Sequence, residues 1–119
     1  MNVNEFLGRY ADGERNFPAI DLSRANLVHA WLNDVNLSGA NLSKADLNGA
    51  TLKNANLSGA NLSTAYLTNA ELIGANLQGA MLYKADLGGS NLQSADLTDA
   101  DLSDANLRRA IMPDGTLSD

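Results

Sequence analysis

The sequence contains no cysteine and only one histidine, His29, among its 119 residues. Disulfide bonds and thiolate metal sites are therefore excluded, and a single imidazole leaves no histidine pair for a zinc site. Aromatic residues are also scarce at 5%, with one tryptophan and two phenylalanines to supply bulk. An ordinary globular core uses more side-chain shapes than this composition offers.

Positive charge and long apolar segments are lacking as well. The net charge is −6, which does not suit a protein that binds nucleic acid through a basic surface. No apolar stretch approaches the length of a membrane span, and the amino terminus has no apolar run with basic flanks. We therefore expect a single acidic domain in the cytoplasm, with no membrane attachment and no direct contact with nucleic acid.

One repeat of five residues fills most of the sequence. Leucine recurs at every fifth position from Leu22 to Leu107, with Phe17 before this series and Met112 and Leu117 after it. Alanine usually stands two places before the leucine, with Asn or Asp between them. In a helix this period would scatter the leucines around the axis, and in a straight strand it would place them on alternating faces. The chain must therefore turn once per repeat.

The spacing within a repeat predicts the shape of the turn. Alanine and leucine lie two residues apart, so in a short extended segment both point to one side while the Asn or Asp points away. Four such segments joined by right-angle bends close a square coil of twenty residues with the apolar side chains inside. Coils would stack about 4.8 Å apart and pair as parallel strands do. The prediction is an all-β fold, a quadrilateral parallel β-helix (β-solenoid) of about five coils.

Glycine and asparagine at the second place after the leucine support this geometry. A type II turn needs a positive φ at its second central residue, which glycine supplies and asparagine tolerates. At twenty residues per coil most of these residues stack on two opposite corners. One corner collects Gly39, Gly59 and Gly79, and the opposite one Gly49, Asn69 and Gly89. We expect type II turns at both of these corners.

The repeat resembles a known family. Residues 40–44 (ANLSK) and 45–49 (ADLNG) fit the pattern A(N/D)LxX, which is similar to that of the pentapeptide-repeat proteins, and the likeness extends from residue 17 to about residue 117. The resemblance implies that the four-sided β-helix is right-handed. The segment 10–17 (YADGERNF) also resembles the openings of cyanobacterial members.

The ends of the solenoid need separate treatment because an open coil exposes its core. We expect residues 1–16 to form an N-terminal cap and residues 17–119 to form the β-helix. Asn2 or Asn4 can begin a short capping helix that packs on the first coil, and Gly13 can end it.

The C-terminal end is predicted to be barer, with a turn at 113–119 that closes the last coil. Four apolar residues there would form a self-complementary patch, which predicts a possible end-to-end homodimer. These residues are Leu107, Ile111, Met112 and Leu117.

Two further single positions and one column of residues are the basis of specific predictions. Ser90 replaces an interior alanine, and we expect its hydroxyl to bond nearby backbone. Trp31 occupies an outward position, where the N-terminal segment is expected to cover it; in the alternative it is a contact point for a partner. An outward column of amides predicts a ladder of side-chain hydrogen bonds along the stack. The column consists of Asn16, Asn36, Asn56, Asn76 and Asp96.

No nucleophile motif, phosphate loop or metal motif occurs, so neither catalysis nor a cofactor is expected. A column of cations at one corner, with exposed aromatic and methionine residues beside it, has the composition of a partner-binding patch. Its residues are Arg24, Lys44, Lys84, Tyr66, Tyr83 and Met81. In the alternative interpretation, which the sequence favours, the lysines pair locally with Asp46 and Asp86, and the tyrosines are scattered surface residues.

The favoured function is a non-enzymatic scaffold that presents rigid faces to a protein partner. A second possibility follows from the family resemblance, which implies a DNA mimic that binds DNA gyrase and protects it from quinolones. A remote third is a metal-dependent site, such as a Ca²⁺ site, in an acidic cluster of the last coil. That cluster consists of Asp96, Asp99, Asp101 and Asp104.

Overall fold

The computed structural model describes all 119 residues and forms a short rod of nearly square section, 38 × 23 × 22 Å. Parallel β-bridges join each outward residue to the residue twenty positions later, from Asn16 with Asn36 to Asn91 with Ile111. Each side of the coil contributes one bridge residue per turn, so the sides are too short to form longer strands. The predicted β-solenoid with twenty residues per coil is confirmed.

The repeat 41–45 shows how the coils are held together. The N–H groups of Leu42 and Lys44 donate to carbonyls of the next coil, at 2.7 and 3.1 Å, and that of Asn41 donates to the previous coil at 2.9 Å. The N–H of Ala45 closes the turn by donating to the carbonyl of Leu42, at 3.0 Å. The fifth N–H, on Ser43, donates to Oδ1 of Asn41 at 3.0 Å. Every backbone donor of this repeat is therefore satisfied.

The last of these bonds explains the Asn or Asp that stands between alanine and leucine. The same bond, from the N–H two residues later, recurs at Asn56, Asp86 and Asp96, with N–O distances of 3.0 Å at each. The outward amide column uses its oxygens in this way, and only Asn36 donates to another member of the column, Asn16. The predicted amide ladder is therefore wrong beyond its first step, and from Asn36 onward the side-chain oxygens of the column accept corner N–H groups.

The interior consists of alanine and leucine in layers. From Leu37 to Leu92 every leucine of the repeat is buried, as is nearly every alanine that precedes one. These side chains form one continuous core that extends from Phe6 to Ala95. The alternation of a small and a large residue on each side fills the square section without bulky aromatic residues.

The backbone has a positive φ at the second place after the leucine on all four corners. The value is 65° at Gly39, Gly59 and Gly79, as predicted, and a turn-closing bond such as that of Ala45 accompanies it. The sequence pattern singled out only the two corners richest in glycine and asparagine, but Arg24 and Lys44, on a corner without glycine, have φ of 60°. Closing the square requires the same turn four times, and this requirement overrides local residue preference.

Larger side chains at some corners lie along the stack over a glycine of the next coil. A Cβ atom added at Gly49 would collide with the imidazole of His29, and one added at Gly89 would collide with the amide of Asn69. At Gly59, by contrast, a Cβ atom would meet no other atom. At Gly49 and Gly89 glycine therefore has two separate advantages, its tolerance of a positive φ and the space that it leaves for the side chain packed over it.

The single helix, α1, spans Val3–Ala11 and lies against the first coil. Asn2, not Asn4, caps it, since Oδ1 of Asn2 accepts a bond of 2.8 Å from the N–H of Glu5. Phe6 is fully buried, with its ring edge-to-face with Phe17 at 4.8 Å between centroids. The helix has neither the length nor the apolar character needed to span a membrane.

A hydrogen bond and a stacked cation fix the last turn of α1. The hydroxyl of Tyr10 donates to the carbonyl of Asn33 at 2.7 Å, and the guanidinium of Arg15 lies 3.7 Å from the centre of the Tyr10 ring. Gly13, with φ of 101°, follows the helix and turns the chain toward the first coil. Trp31 lies beyond the reach of this segment and is 67% exposed, so the prediction that it is covered is wrong.

Ser90 differs from its expected environment. The residue is fully buried, and its hydroxyl has no hydrogen-bond partner. The expected bond to backbone is absent because the nearby backbone groups are already bonded within the turn and between coils: the carbonyl of Ser90 itself accepts from Ile111, and its N–H donates to Leu87. The hydroxyl is therefore a source of instability.

We predict that Ser90→Ala raises the free energy of unfolding by about 1–3 kcal/mol, since it removes an unpaired buried hydroxyl and restores the alanine of the repeat. Chemical denaturation of the two proteins measures the difference. The matched control is Ala70→Ser, one coil earlier in the same column, which should destabilise by a similar amount. An unchanged stability in both variants would contradict the prediction.

We further predict that Gly49→Ala destabilises more than Gly59→Ala. Both variants place a Cβ atom at a positive φ, at a cost of about 1–2 kcal/mol, but only the first also displaces His29. Thermal and urea unfolding of the single variants and of the pair His29→Ala with Gly49→Ala form a double-mutant cycle. The coupling should be at least about 0.5 kcal/mol. Additive effects would mean that the imidazole moves aside freely.

Candidate protein-binding surface

The candidate surface is built on the corner between two sides of the coil, here called the second corner. Its residues take the same place in the turn on successive coils, so their Cα atoms lie about 4.8 Å apart per coil. From the N-terminal end the second corner consists of Arg24, Lys44, Thr64, Lys84 and Asp104. Arg24, Lys44 and Lys84, the cations predicted to bind a partner, therefore lie in one line along the rod.

These three cations are exposed and make no ion pair. The ion pairs of the chain join Arg9 to Glu5 and Glu14, and Lys53 to Glu71. The alternative in which Lys44 and Lys84 pair with nearby aspartates is not found in the structure. Those carboxylates point into their own turns and accept backbone N–H groups, at 3.1 Å in the case of Asp46 and 3.0 Å in the case of Asp86.

Apolar side chains flank the same corner. Tyr83 immediately precedes Lys84, whose Nζ lies 5.4 Å from the centre of the tyrosine ring. Met81 projects from the side before the corner and Tyr66 from the side after it. Their exposed fractions are 40% for Tyr83, 43% for Met81 and 50% for Tyr66. All six residues predicted from the sequence therefore lie at one corner and its two adjoining sides, which we call the second-corner patch.

A separate pair of exposed apolar residues includes Trp31, which was expected to be covered. Trp31 and Val28 are both exposed and lie near the third corner, away from the second-corner patch. Their outward positions were visible in the repeat, but the extent of α1 was not. An exposed tryptophan has the chemistry of a contact residue.

The residues predicted for the dimer end divide into two groups. Leu107 and Met112 are partly buried and pack against the end of the core. Ile111 and Leu117 lie on the outside, where they face each other in an antiparallel bridge formed by the C-terminal turn, and Leu117 is 68% exposed. The turn covers only this side of the last coil, and on the remaining sides no later coil follows.

The acidic residues of the last coil do not converge. Asp96 and Asp101 project from adjacent sides, whereas Asp99 and Asp104 occupy adjacent corners, so the four carboxylates point in different directions. Nowhere in the structure do three or more histidine or acidic side chains come together as a group that could hold a metal ion. The arrangement does not provide the several oxygen ligands that Ca²⁺ requires.

Two of these carboxylates serve their own turns instead. The hydroxyl of Thr98 donates to Asp96 at 2.6 Å and, together with the N–H of Thr98, lowers the pKa of Asp96. The hydroxyl and N–H of Ser103 lower the pKa of Asp101 in the same way, again with a hydroxyl bond of 2.6 Å. Both groups stay ionised to a lower pH than an ordinary aspartate.

The surface as a whole carries no pocket. Small-molecule and catalytic sites are usually concave, so the features available for recognition here are ridges and flat sides. The second-corner patch is a ridge that combines cations with exposed aromatic rings.

The family model for pentapeptide repeats matches the chain in eight copies, over residues 20–59, 45–82, 60–99 and 75–112. A search of the curated proteins gave no significant match. Among solved structures, the chain is similar to the pentapeptide repeat protein Rfr23 of the cyanobacterium Cyanothece 51142, with 30% identity, coverage of 88% of this chain and 85% of that one, and a TM-score of 0.82.

Two other solved structures are also similar. One is the pentapeptide repeat protein alr5209 of Nostoc Pcc 7120, with 36% identity, coverage of 92% and 78%, and a TM-score of 0.62. The other is a pentapeptide repeat protein of the Arabidopsis thaliana thylakoid lumen, with 28% identity, coverage of 88% and 70%, and a TM-score of 0.66.

A more distant likeness, in fold alone, is to the plasmid-mediated fluoroquinolone resistance protein QnrB1, with 21% identity, coverage of 82% and 60%, and a TM-score of 0.60. The family match spans most of the sequence, and two cyanobacterial structures share at least 30% identity with it over most of their length. The chain therefore belongs to the pentapeptide-repeat family.

Proposed function

We propose that the chain is a non-enzymatic interaction scaffold, a right-handed rod of about five coils that presents side chains at fixed spacing to a protein partner. The observation that carries this proposal is the second-corner patch, where exposed aromatic rings and unpaired cations lie on a rigid backbone. Helix α1 acts as the N-terminal cap, so that residues 1–16 and 17–119 form the cap and the rod. The cytoplasm is the proposed location.

Rigidity is what such a scaffold contributes to binding. A surface whose backbone is hydrogen-bonded on every coil loses little conformational entropy when a partner docks, so more of the contact energy appears as affinity. The absence of a pocket is consistent with recognition of a protein rather than of a small molecule.

A DNA mimic that binds DNA gyrase is the second candidate, and the fold that the chain shares with QnrB1 favours it. The charge pattern opposes it. Duplex DNA as long as this 38 Å rod would carry about 22 phosphates, at one per 1.7 Å of axis. The chain has 14 acidic residues in total. Several of them crowd the last coil, and Lys44, Lys53 and Lys84 interrupt the middle.

A photo-crosslinking residue placed on each corner in turn tests the scaffold. The positions are Gln78, Tyr83, Arg108 and Gln93, which lie on the first to fourth corners. In cells that express the protein, we expect a discrete protein adduct, detected by mass spectrometry, from one corner only, because a specific partner contacts one surface. Adducts from none of the corners would refute the scaffold.

The same experiment separates the two candidates. DNA gyrase as the captured protein, together with inhibition of supercoiling by the purified chain, would favour the mimic over a scaffold for another partner. A different captured protein and unaffected supercoiling would eliminate the mimic.

We also propose that the C-terminal end forms an end-to-end homodimer. On three sides of the last coil, leucine N–H groups and the alanine carbonyls two residues before them have no backbone partner. A twofold axis across the rod would set these sides antiparallel in two copies, and this spacing suits a pair of reciprocal hydrogen bonds. The free donors belong to Leu97, Leu102 and Leu107 and the free acceptors to Ala95, Ala100 and Ala105.

We predict a concentration-dependent dimer in sedimentation equilibrium that strengthens with added salt, because salt screens the repulsion between the acidic last coils. Met112→Lys, at the end of the core, should abolish the dimer. Val28→Lys, an exposed apolar residue at the other end, is the matched control and should leave it intact. Circular dichroism verifies that both variants fold. A wild-type chain that stays monomeric at every concentration and salt would contradict the dimer.

A further inference from the structure

The second corner differs from the other corners in the residues that it holds at positive φ. Glycine has no penalty in this region, and asparagine, aspartate and histidine tolerate it, whereas other residues lose about 1–2 kcal/mol each. The first, third and fourth corners each contain one residue outside the tolerant group: Ala19, Arg109 and Ser94 respectively. The second corner contains four such residues and no glycine. They are Arg24, Lys44, Thr64 and Lys84, with φ of 60°, 60°, 57° and 56°.

No local contact of the cations compensates for this strain. Their side chains make no ion pair and no hydrogen bond, and only Lys84 lies near a ring, that of Tyr83. Glycine at the same place would be easier for the backbone, as the first corner shows. Strain that the fold does not need is a mark of a functional position.

The three cations form a line of fixed spacing along the rod. Arg24 and Lys44 lie on neighbouring coils and Lys84 lies two coils further, so the line spans three coils, or about 14 Å. An extended peptide covers this length with about four residues, at about 3.4 Å each. Tyr83 stands on the ridge itself, and Met81 and Tyr66 flank it, which places apolar surface beside the charges.

We propose that the second-corner patch binds an acidic segment of a partner protein. Aspartate or glutamate side chains of the segment contact Arg24, Lys44 and Lys84, and apolar side chains between them contact the tyrosines and Met81. The inference rests on the proposed scaffold function and names the chemistry of its partner. Charge complementarity with the three aligned cations selects an acidic segment. The net charge of −6 on the chain repels the dense charge of a nucleic acid backbone more strongly than it repels a segment with a few acidic residues.

Fluorescence anisotropy with a defined probe tests the site. The probe is a short labelled peptide of alternating glutamate and leucine, and its counterpart with glutamine in place of glutamate is the charge control. We expect the wild-type chain to bind the acidic peptide, with affinity that falls as salt rises. The double variant Lys44→Gly with Lys84→Gly should bind about tenfold more weakly, since two exposed charge pairs are lost.

Glycine is the substituted residue because it allows a loss of binding to be distinguished from a loss of folding. It suits the positive φ at both positions, so the melting temperature of the double variant should be at or above that of the wild type. Thr64→Gly is the matched control, because it relieves the same strain between the two lysines without removing a charge. It should bind the acidic peptide as the wild type does.

Three outcomes would overturn the inference: equal binding of the glutamine peptide, an equal loss of affinity in Thr64→Gly, or tighter binding of an oligothymidylate than of the acidic peptide. Crosslinking to a partner from another corner only would overturn the acidic site and leave the scaffold standing. Crosslinking from no corner would refute the scaffold itself, whatever the peptide does.

Discussion

The fold depends on partners for the backbone N–H groups of the five-residue repeat. Three of the five donors bond to neighbouring coils, one closes the turn, and one bonds to the Asn or Asp side chain of its own repeat. Where that side chain is replaced, an asparagine one coil earlier takes over in two cases, with Asn33 accepting from Lys53 and Asn48 from Thr68. The Asn or Asp of the consensus sequence thus serves as a hydrogen-bond acceptor for the backbone. The alanine and leucine layers fill the space that the backbone encloses.

The square section, the stacking and the burial of alanine and leucine could be predicted because a period of five excludes both regular structures. The positive φ of Lys44 or Thr64 could not, since each residue alone favours a different conformation and only closure of the coil imposes this one. The environment of Ser90 could likewise be predicted only in part. Its buried position follows from the repeat, but the absence of a partner for its hydroxyl depends on how neighbouring groups are already engaged.

For the second-corner patch, the alignment of the cations could be predicted from the sequence, but their lack of ion pairs could not. Arranging the sequence in coils of twenty is enough to align Arg24, Lys44 and Lys84, because the solenoid repeats without drift. The absence of ion pairs at these cations depends on the directions in which the neighbouring side chains point. Aspartates close by in sequence are turned toward backbone donors, and this competition left the lysines unpaired.

The twenty-residue register has a consequence for how such a chain can change over evolution. Gain or loss of a single repeat preserves the coil, the core and the hydrogen bonds, because each repeat is interchangeable with the next. It also rotates every later residue by a quarter turn, so that residues once aligned on a corner are dispersed over two. Only duplication of four repeats, or a multiple of four, lengthens the rod and keeps the residues of one corner aligned. The fold therefore tolerates the insertion of a single repeat, whereas a binding surface aligned along the rod does not.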